Sequence, residues 1–510
     1  LEERRQRESG PLTQLTGRLA SAPHHLLHTE ILEPQFSYEL EYLLAFYILI
    51  EQAQVLEYAR LGLIAPATVA RVGTILQQIS PRELTADPRS NLSDISFAIE
   101  QFVERRLPEA LPAWHVDRSR NDAQACAQLM SGRDQLLDTA DDLIALARAT
   151  WRVAGRYTTW VMPGYTQYQA AQVISPGFYL AALCEHLLEA LRSLLAIYDT
   201  INLCPLGAGS MAGQQLPWDR HRMARLLGFR GPERHALVSV ASRSWRLRIA
   251  AECSSLGLIL SRFVTDLITW GSSEYNFLEL PDDLAGISAS MPQKKNYPIL
   301  ERIRGKTGHL SAFSLDMLLG QRNTPYTNLV EVSKESGQYL VSLFATTRST
   351  LQLFTMVIEQ VRFQAAAMRA ACEREHMYGF TLANNLTLAS AIPYRRAQVI
   401  AGKYIVAAME LHTPPQQADR ALLEKLCQAE GYILTMPEEI LQQTFSVDGA
   451  LRGKQSSGST SPQAMADLLT RQQDELSALH DVWAARRASV QTAFEELHRW
   501  VDAGEKGGAR

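Results

Sequence analysis

Six cysteines in 510 residues, with no CxxC pair among them, leave this chain little material for a disulfide scaffold or a zinc site. Cys126, Cys184, Cys204, Cys253, Cys372 and Cys427 lie far apart, a usage that fits a reducing cytoplasm. Long apolar runs are missing too. The longest, Tyr42 to Ile50, has nine residues, well short of the roughly 20 that a bilayer-spanning helix needs. Neither sign of charge dominates: 50 Lys and Arg face 54 Asp and Glu, a net of -4, so nothing calls for nucleic acid or an anionic membrane as partner. The 12 histidines show no HExxH or similar ligand spacing, and neither metal nor cofactor is expected. The start, LEERRQRESG, is charged and lacks the apolar stretch of a secretory signal. Period-two alternation long enough for a sheet is hard to find, and no internal repeat is visible.

What the chain has instead is helical periodicity. From Tyr179, Leu183, Leu187, Leu191, Leu194 and Leu195 recur at steps of three and four, with Glu185, Glu189 and Arg192 between them. Leu256, Leu260, Phe263, Leu267 and Trp270 repeat the pattern. The stretch from about 116 to 365 therefore reads as long helices in a bundle, broken at Pro163-Gly164, Pro205 to Gly213 and Pro281 to Pro298. Gly453 to Pro462 (GKQSSGSTSP) and the terminal AGEKGGAR read as linkers. Between them Leu476, Leu479, Trp483, Val490, Phe494, Leu497 and Val501 mark an amphipathic C-terminal helix. The hydrophobic content, 46%, is enough for a large core.

The breaks carry the polar motifs, as expected where a rigid scaffold presents chemistry on its connections. Ser290-Met291-Pro292-Gln293-Lys294-Lys295-Asn296, with Ser288 ahead of it, packs hydroxyls, two cations and an amide into a stretch too polar for core. Gly207 to Gly213 has the spacing GxGxxxG, close to a dinucleotide fingerprint. It lacks a preceding strand and a βαβ context, so a glycine-rich bend between helices is the preferred reading.

Four strings together resemble the argininosuccinate lyase branch of the fumarase/aspartase superfamily. LPDDLAGISASMPQKKN resembles the signature loop with its GSSxMPQKKN; HVDRSRNDAQA (115 to 125) resembles HTGRSRND; PGYTQYQAAQ (163 to 172) resembles PGYTHLQxAQ; and PLGAGSMAG (205 to 213) resembles PLGSGALAG. Ala391 to Arg395 and Gly458 to Thr460 resemble the small C-terminal domain, so the likeness runs from about 35 to 470. It implies an all-α, three-domain fumarase/aspartase-like fold with a long central helical bundle. The expected divisions are an N-terminal helical domain at 1–115, the bundle at 116–365 with the signature loop at 286–298, a small helical domain at 366–470, and a C-terminal helix and tail at 471–510. It also implies a homotetramer whose active sites draw on several subunits, a small dicarboxylate substrate and a cytoplasmic location.

Members of that superfamily remove a proton next to a carboxylate and release fumarate, so a site must place cations and donors where carbanion charge develops. The resemblance assigns the base to Ser288, whose alkoxide needs amides and a cation nearby, and charge stabilisation to Lys294 and Asn296. It assigns the anionic clamp to Ser119, Arg120 and Asn121, a hydroxyl, a forked donor and an amide in sequence. Thr166, Gln169, Arg243, Tyr326 and Lys334 follow as substrate-binding positions; for the last two the residues alone fit a core tyrosine and a surface lysine equally well. Asp122 reads as a helix-end or salt-bridge residue, and Glu301 matches the carboxylate that partners the family's histidine.

That histidine is absent: Gln167 stands in its place and cannot shuttle a proton near neutral pH. Tyr47 replaces an Asp associated with the guanidinium end of argininosuccinate, Gln54 and Ser96 each replace a His, and Ser244 replaces an Asp. Together these changes strike the leaving-group side harder than the carboxylate and signature-loop side. The expectation is a C–N lyase that forms fumarate from an N-substituted aspartate or related succinyl adduct other than argininosuccinate. Two alternatives stay open: elimination or isomerisation of another polycarboxylate, and a silent structural or regulatory paralogue of the lens-crystallin kind.

Overall fold

The computed structural model describes residue 18 and residues 21–504; the charged start before residue 18 and the tail after Gly504 lie outside the described residues. Helices dominate. The elements that position the site are α1 (Leu44–Arg60), α2 (Arg120–Arg156), β1 (Met162–Thr166), β2 (Gln169–Ile174), α3 (Pro176–Ile201), α4 (Ser244–Trp270), β3 (Gly286–Ile287), β4 (Lys295–Asn296), α5 (Pro298–Gln321), α6 (Leu340–Gln360) and α7 (Pro462–Asp502). Among the described residues every sheet has two strands, and no helix is long and apolar enough to cross a membrane.

The helix starts are written locally. The Ser119 hydroxyl accepts the Asn121 N–H at 3.1 Å to open α2, and the Ser175 hydroxyl accepts the Phe178 N–H at 3.0 Å, with Pro176 following, to open α3. Ser461 and Pro462 repeat the device at α7. Each such cap contributes about 1 kcal/mol, and proline at the first helical position removes a donor that would otherwise be orphaned.

Five of the long helices close on themselves: α2 packs on α3, α3 on α4, α4 on α5, α5 on α6, and α6 returns to α2. The stripe Leu183, Leu187, Leu191 and Leu194 is fully buried, as are Leu256, Leu260, Leu267 and Trp270 on α4. Truncating one such leucine to alanine costs about 2–5 kcal/mol. Gly132 allows α2 and α4 to approach, since a Cβ there would lie 2.3 Å from the Trp245 ring.

A second core is separate. Tyr378, Leu382, Leu386, Ile400, Tyr404, Leu423, Met436 and Phe445 pack among themselves, whereas α7 joins the main core through Met465, Leu476, Trp483 and Leu497. Trp151 Nε1 donates to Leu469 O at 2.8 Å, and Gln472 Nε2 to Ala181 O at 2.9 Å. The expected division at 470/471 thus falls inside α7, whose start is set by the Ser461-Pro462 cap rather than by its apolar stripe.

Candidate active site

The signature loop is a hairpin. Gly286 pairs with Asn296 and Ile287 with Lys295, so residues 288 to 294 form its arc. The Ser288 Oγ accepts the Met291 N–H at 3.2 Å, and Lys294 N–H donates to Met291 O at 3.0 Å. The two adjacent lysines part ways. Lys295 Nζ lies 3.0 Å from Glu279 and 2.8 Å from Asp282, hydrogen bonds that push its pKa up and tie the hairpin to the preceding turn. Lys294 is exposed, and its ammonium has no ion-pair partner among the described residues. Asn296 is half-buried in β4; Glu301 is exposed in the first turn of α5, where the helix dipole favours a carboxylate.

The segment expected as a plain helix break at Pro163-Gly164 is instead a hairpin of β1 and β2, with a register shift between Gly164 and Tyr165. Gln167 and Tyr168 occupy its two-residue turn with φ of 53° and 61°, both in the left-handed region that such a turn requires. Thr166, Gln167 and Gln169 are exposed and make no side-chain hydrogen bond among the described residues. The hairpin borders a cavity of about 790 Å³ with the C-terminal end of α4. Tyr179 donates to Asp266 Oδ2 at 2.6 Å in its wall.

The clamp residues sit at the start of α2. Arg120 Nη1 donates to Asp94 Oδ2 at 2.6 Å and lies over the Phe97 ring, so it is already engaged. Asn121 Nδ2 donates to Ser210 O at 3.2 Å. Beneath them the buried Asp122 accepts from Gly207 N and Gly209 N at 2.9 and 3.0 Å, and burial pushes its carboxyl up to about 6. Both glycines have positive φ, and Asp122 holds their bend from inside. Contrary to the sequence expectation, a strand does precede the bend: Leu203-Cys204 pairs in parallel with Gly231-Pro232 across the helix Arg220–Leu226, but two residues a strand is far short of the sheet on which a dinucleotide site is built.

Arg243 is buried, with Nε donating to Gln128 Oε1 at 2.9 Å and Nη1 to Val240 O at 2.8 Å; burial lowers its pKa to about 9. Lys334 Nζ lies 3.7 Å from Glu39, whose carboxyl burial lifts to about 7. Tyr47, 3% exposed, lies within electrostatic reach of Glu39, Asp94, Arg243 and Arg120, and burial raises its hydroxyl well above the ordinary range. A carboxylate therefore remains near the replaced Asp, supplied by Glu39 but occupied by Lys334 and by Gln124 at 3.1 Å. Tyr326 is 61% exposed and not a core residue.

Arg120 and Arg243 thus lie near Tyr47, with Lys334 joined to them through Glu39, while Ser288 with Lys294 and Thr166 with Gln167 stand on two other patches. Among the described residues no side-chain hydrogen bond or ion pair joins the three. Asp94 and Glu39 escaped the sequence reading. Asp94 carried a visible signal, since its side chain caps the helix Ile95–Glu104 by accepting the Ser96 N–H at 3.0 Å. Glu39 carried none.

Residues 90–311 match the model of the family described as Lyase. The chain is 32% identical over 320 residues to an argininosuccinate lyase of Lachnospira eligens, covering 62% of this chain and 69% of that one. Argininosuccinate lyase 1 of Shouchella clausii is 25% identical over 498 residues, 97% of this chain and all of its own length. A solved structure of EDDS lyase in complex with formate superposes with a TM-score of 0.81 over 96% of this chain and 98% of its own, at 23% identity. That likeness establishes the shared helical fold.

Proposed function

We propose, since this chain belongs to the lyase family as an argininosuccinate lyase-like member of the fumarase/aspartase superfamily, that it cleaves the C–N bond of an N-substituted aspartate and releases fumarate. The observation that carries the reading is the loop: a serine oxygen held by a backbone N–H, beside a lysine with no protein counter-ion. Ser288, as its alkoxide, takes the proton from the carbon next to the carboxylate and becomes the neutral hydroxyl. The carbanion pair spreads into that carboxylate, where Lys294 and Asn296 supply charge and a donor; one such donor contributes roughly 3 kcal/mol. The pair then forms the carbon–carbon double bond as the C–N bond breaks toward nitrogen. A substituted ammonium leaves as a neutral amine, keeping the protons it had, so Gln167 has to orient it and not protonate it.

Argininosuccinate is not the expected substrate, because Gln167 offers no acid and the carboxylate near Tyr47 is already paired. Ser119, Arg120, Asn121, Thr166, Gln169, Arg243, Tyr326 and Lys334 serve as the binding set, and Glu301 backs the turn at Gln167. Because the three patches are separate in one chain, the site is completed by neighbouring copies in a homotetramer. Exposed Leu258 on α4 and Leu315, Leu318 and Leu319 on α5 supply an apolar face for that assembly. The six cysteines, all free and buried, favour the cytoplasm.

Fumarate release from a panel of N-substituted aspartates, followed by ultraviolet absorbance, tests the reaction; a panel yielding none removes it. For the shared site, mixing inactive Ser288→Ala with Arg120→Ala is expected to restore partial activity. Light scattering that returns a monomer at micromolar concentration rejects the composite site.

A further inference from the structure

Arg246, three residues along α4 from Arg243, is a buried cation without a counter-ion. It is 3% exposed, and no carboxylate lies within ion-pair distance of it among the described residues. Nη1 and Nη2 donate to Val332 O and Ser333 O at 3.1 Å each, while the buried Nε has no acceptor. Gly337 makes the room it occupies, since a Cβ there would lie 2.3 Å from Nη1. Backbone carbonyls compensate a buried full charge less well than an anion does.

The space for an anion is next to it. Arg246, Lys334, Tyr38, Gln35 and Gln128 line a cavity of about 560 Å³, within the range of small-molecule sites. The carboxylates in its wall do not answer Arg246. Glu39 is held by Lys334 at 3.7 Å and by Gln35 and Gln124, and Glu30 and Glu335 are exposed at the rim. Tyr38 lies within electrostatic reach of Arg246, and its hydroxyl makes no hydrogen bond among the described residues. Gln128 ties the cavity to the clamp: it accepts from Arg243 Nε and donates to Ser333 O at 2.8 Å, the same carbonyl that Arg246 uses.

We propose that this cavity receives a carboxylate carried on the leaving arm of the substrate, with Arg246 and Tyr38 as its donors, so that the compounds cleaved are N-substituted aspartates with an acidic substituent. The proposal rests on the fumarate-releasing reading above. A cationic arm would face Arg246 with no gain, and a neutral arm would leave it uncompensated.

Three aspartates of matched length test it, carrying N-(2-carboxyethyl), N-(2-carbamoylethyl) and N-(2-aminoethyl) groups. In the wild type the acid is expected to exceed the amide in kcat/KM by about tenfold or more, chiefly through KM, the size of a charge-assisted hydrogen bond. Arg246→Gln abolishes that preference and Arg246→Lys keeps part of it. Should Arg246→Gln fail to fold, Tyr38→Phe still lowers the preference a few-fold at an unchanged melting temperature. Equal rates for acid and amide, a preference for the amine, or a preference untouched by both Arg246→Gln and Tyr38→Phe overturns the subsite. If none of the three releases fumarate, the reaction reading fails alone and calorimetry with the same compounds decides the subsite. Binding of the acid about tenfold tighter than the amide then upholds it, and equal affinities reject it.

Discussion

The signature loop and the charged cluster around Tyr47 treat their polar side chains in opposite ways. In the loop one lysine is consumed as an anchor, by Glu279 and Asp282, and its neighbour Lys294 is left exposed beside Ser288. In the cluster Arg120 has Asp94 and Lys334 has Glu39, while Arg243 is held by neutral acceptors, Gln128 and two carbonyls. Water compensates the exposed groups at little cost until a substrate or a neighbouring chain displaces it, whereas buried groups need their partners built in. The loop is where new charge can be met, and the cluster is where existing charge is fixed. Arg243 and Arg246 are the buried members that break the second pattern: neither has a carboxylate within ion-pair distance among the described residues, and Arg243 Nη2 and Arg246 Nε lack an acceptor.

The largest expected effect falls on the loop. Ser288→Ala should lower turnover about a hundredfold or more, the usual share of a general base, and Lys294→Met comparably. Melting temperatures should stay put, because neither side chain is packed. A Ser288→Ala enzyme that keeps more than about a tenth of wild-type turnover places the base elsewhere.

Next comes substrate choice on the cluster side. Argininosuccinate is expected to be cleaved poorly, with kcat/KM below about 10⁴ M⁻¹s⁻¹, and Gln167→His is not expected to restore it because Tyr47 and the occupied Glu39 remain. Efficient cleavage by the wild type would falsify the weight given to both positions.

A third difference is in pH. Burial raises Glu39 from 4.5 to about 7, so the folded protein holds a proton that the unfolded chain has released between those values. Its contribution to stability is present below pH 4.5 and is lost as pH rises through about 7. Relative to Glu39→Gln, the wild type should lose up to roughly 3 kcal/mol across that window, read as melting temperature against pH. A flat difference means that the carboxylate is not desolvated. No comparable window is expected from the exposed loop.

The smallest effect is Lys295→Met. Its ion pairs are solvent-facing and worth little, so turnover should drop a few-fold at most, far less than for Lys294→Met. Equal damage from the two lysines would erase the distinction between anchor and catalytic charge.

Much of the scaffold was readable in advance because its signals are local. The stripe from Leu183 to Leu194 and the polar string from Ser288 to Asn296 each lie within a dozen residues of chain, whereas the equally local Ser-Pro openings of α3 and α7 went unread, with Pro462 falling in an expected linker. Three- and four-residue spacing suffices to interpret the stripe, and a run of polar residue types the string. The turn at Gln167 escaped this reading, since neither residue is the glycine that positive φ favours and the strands it joins are short.

Amino-acid order alone determined the helices, the lyase resemblance and the identity of the candidate base. It could not say which of two adjacent lysines is spent as an anchor. Hairpin register decides that: Lys295 is the first paired residue of β4 and its side chain meets Glu279 and Asp282, while Lys294 is left in the unpaired arc. Nor could it bring Arg246 against the carbonyls of Val332 and Ser333, some 86 and 87 residues away, or Glu39 against Lys334. Those meetings depend on how α4 packs and on which charges become enclosed. Burial then sets what they cost and what they can bind.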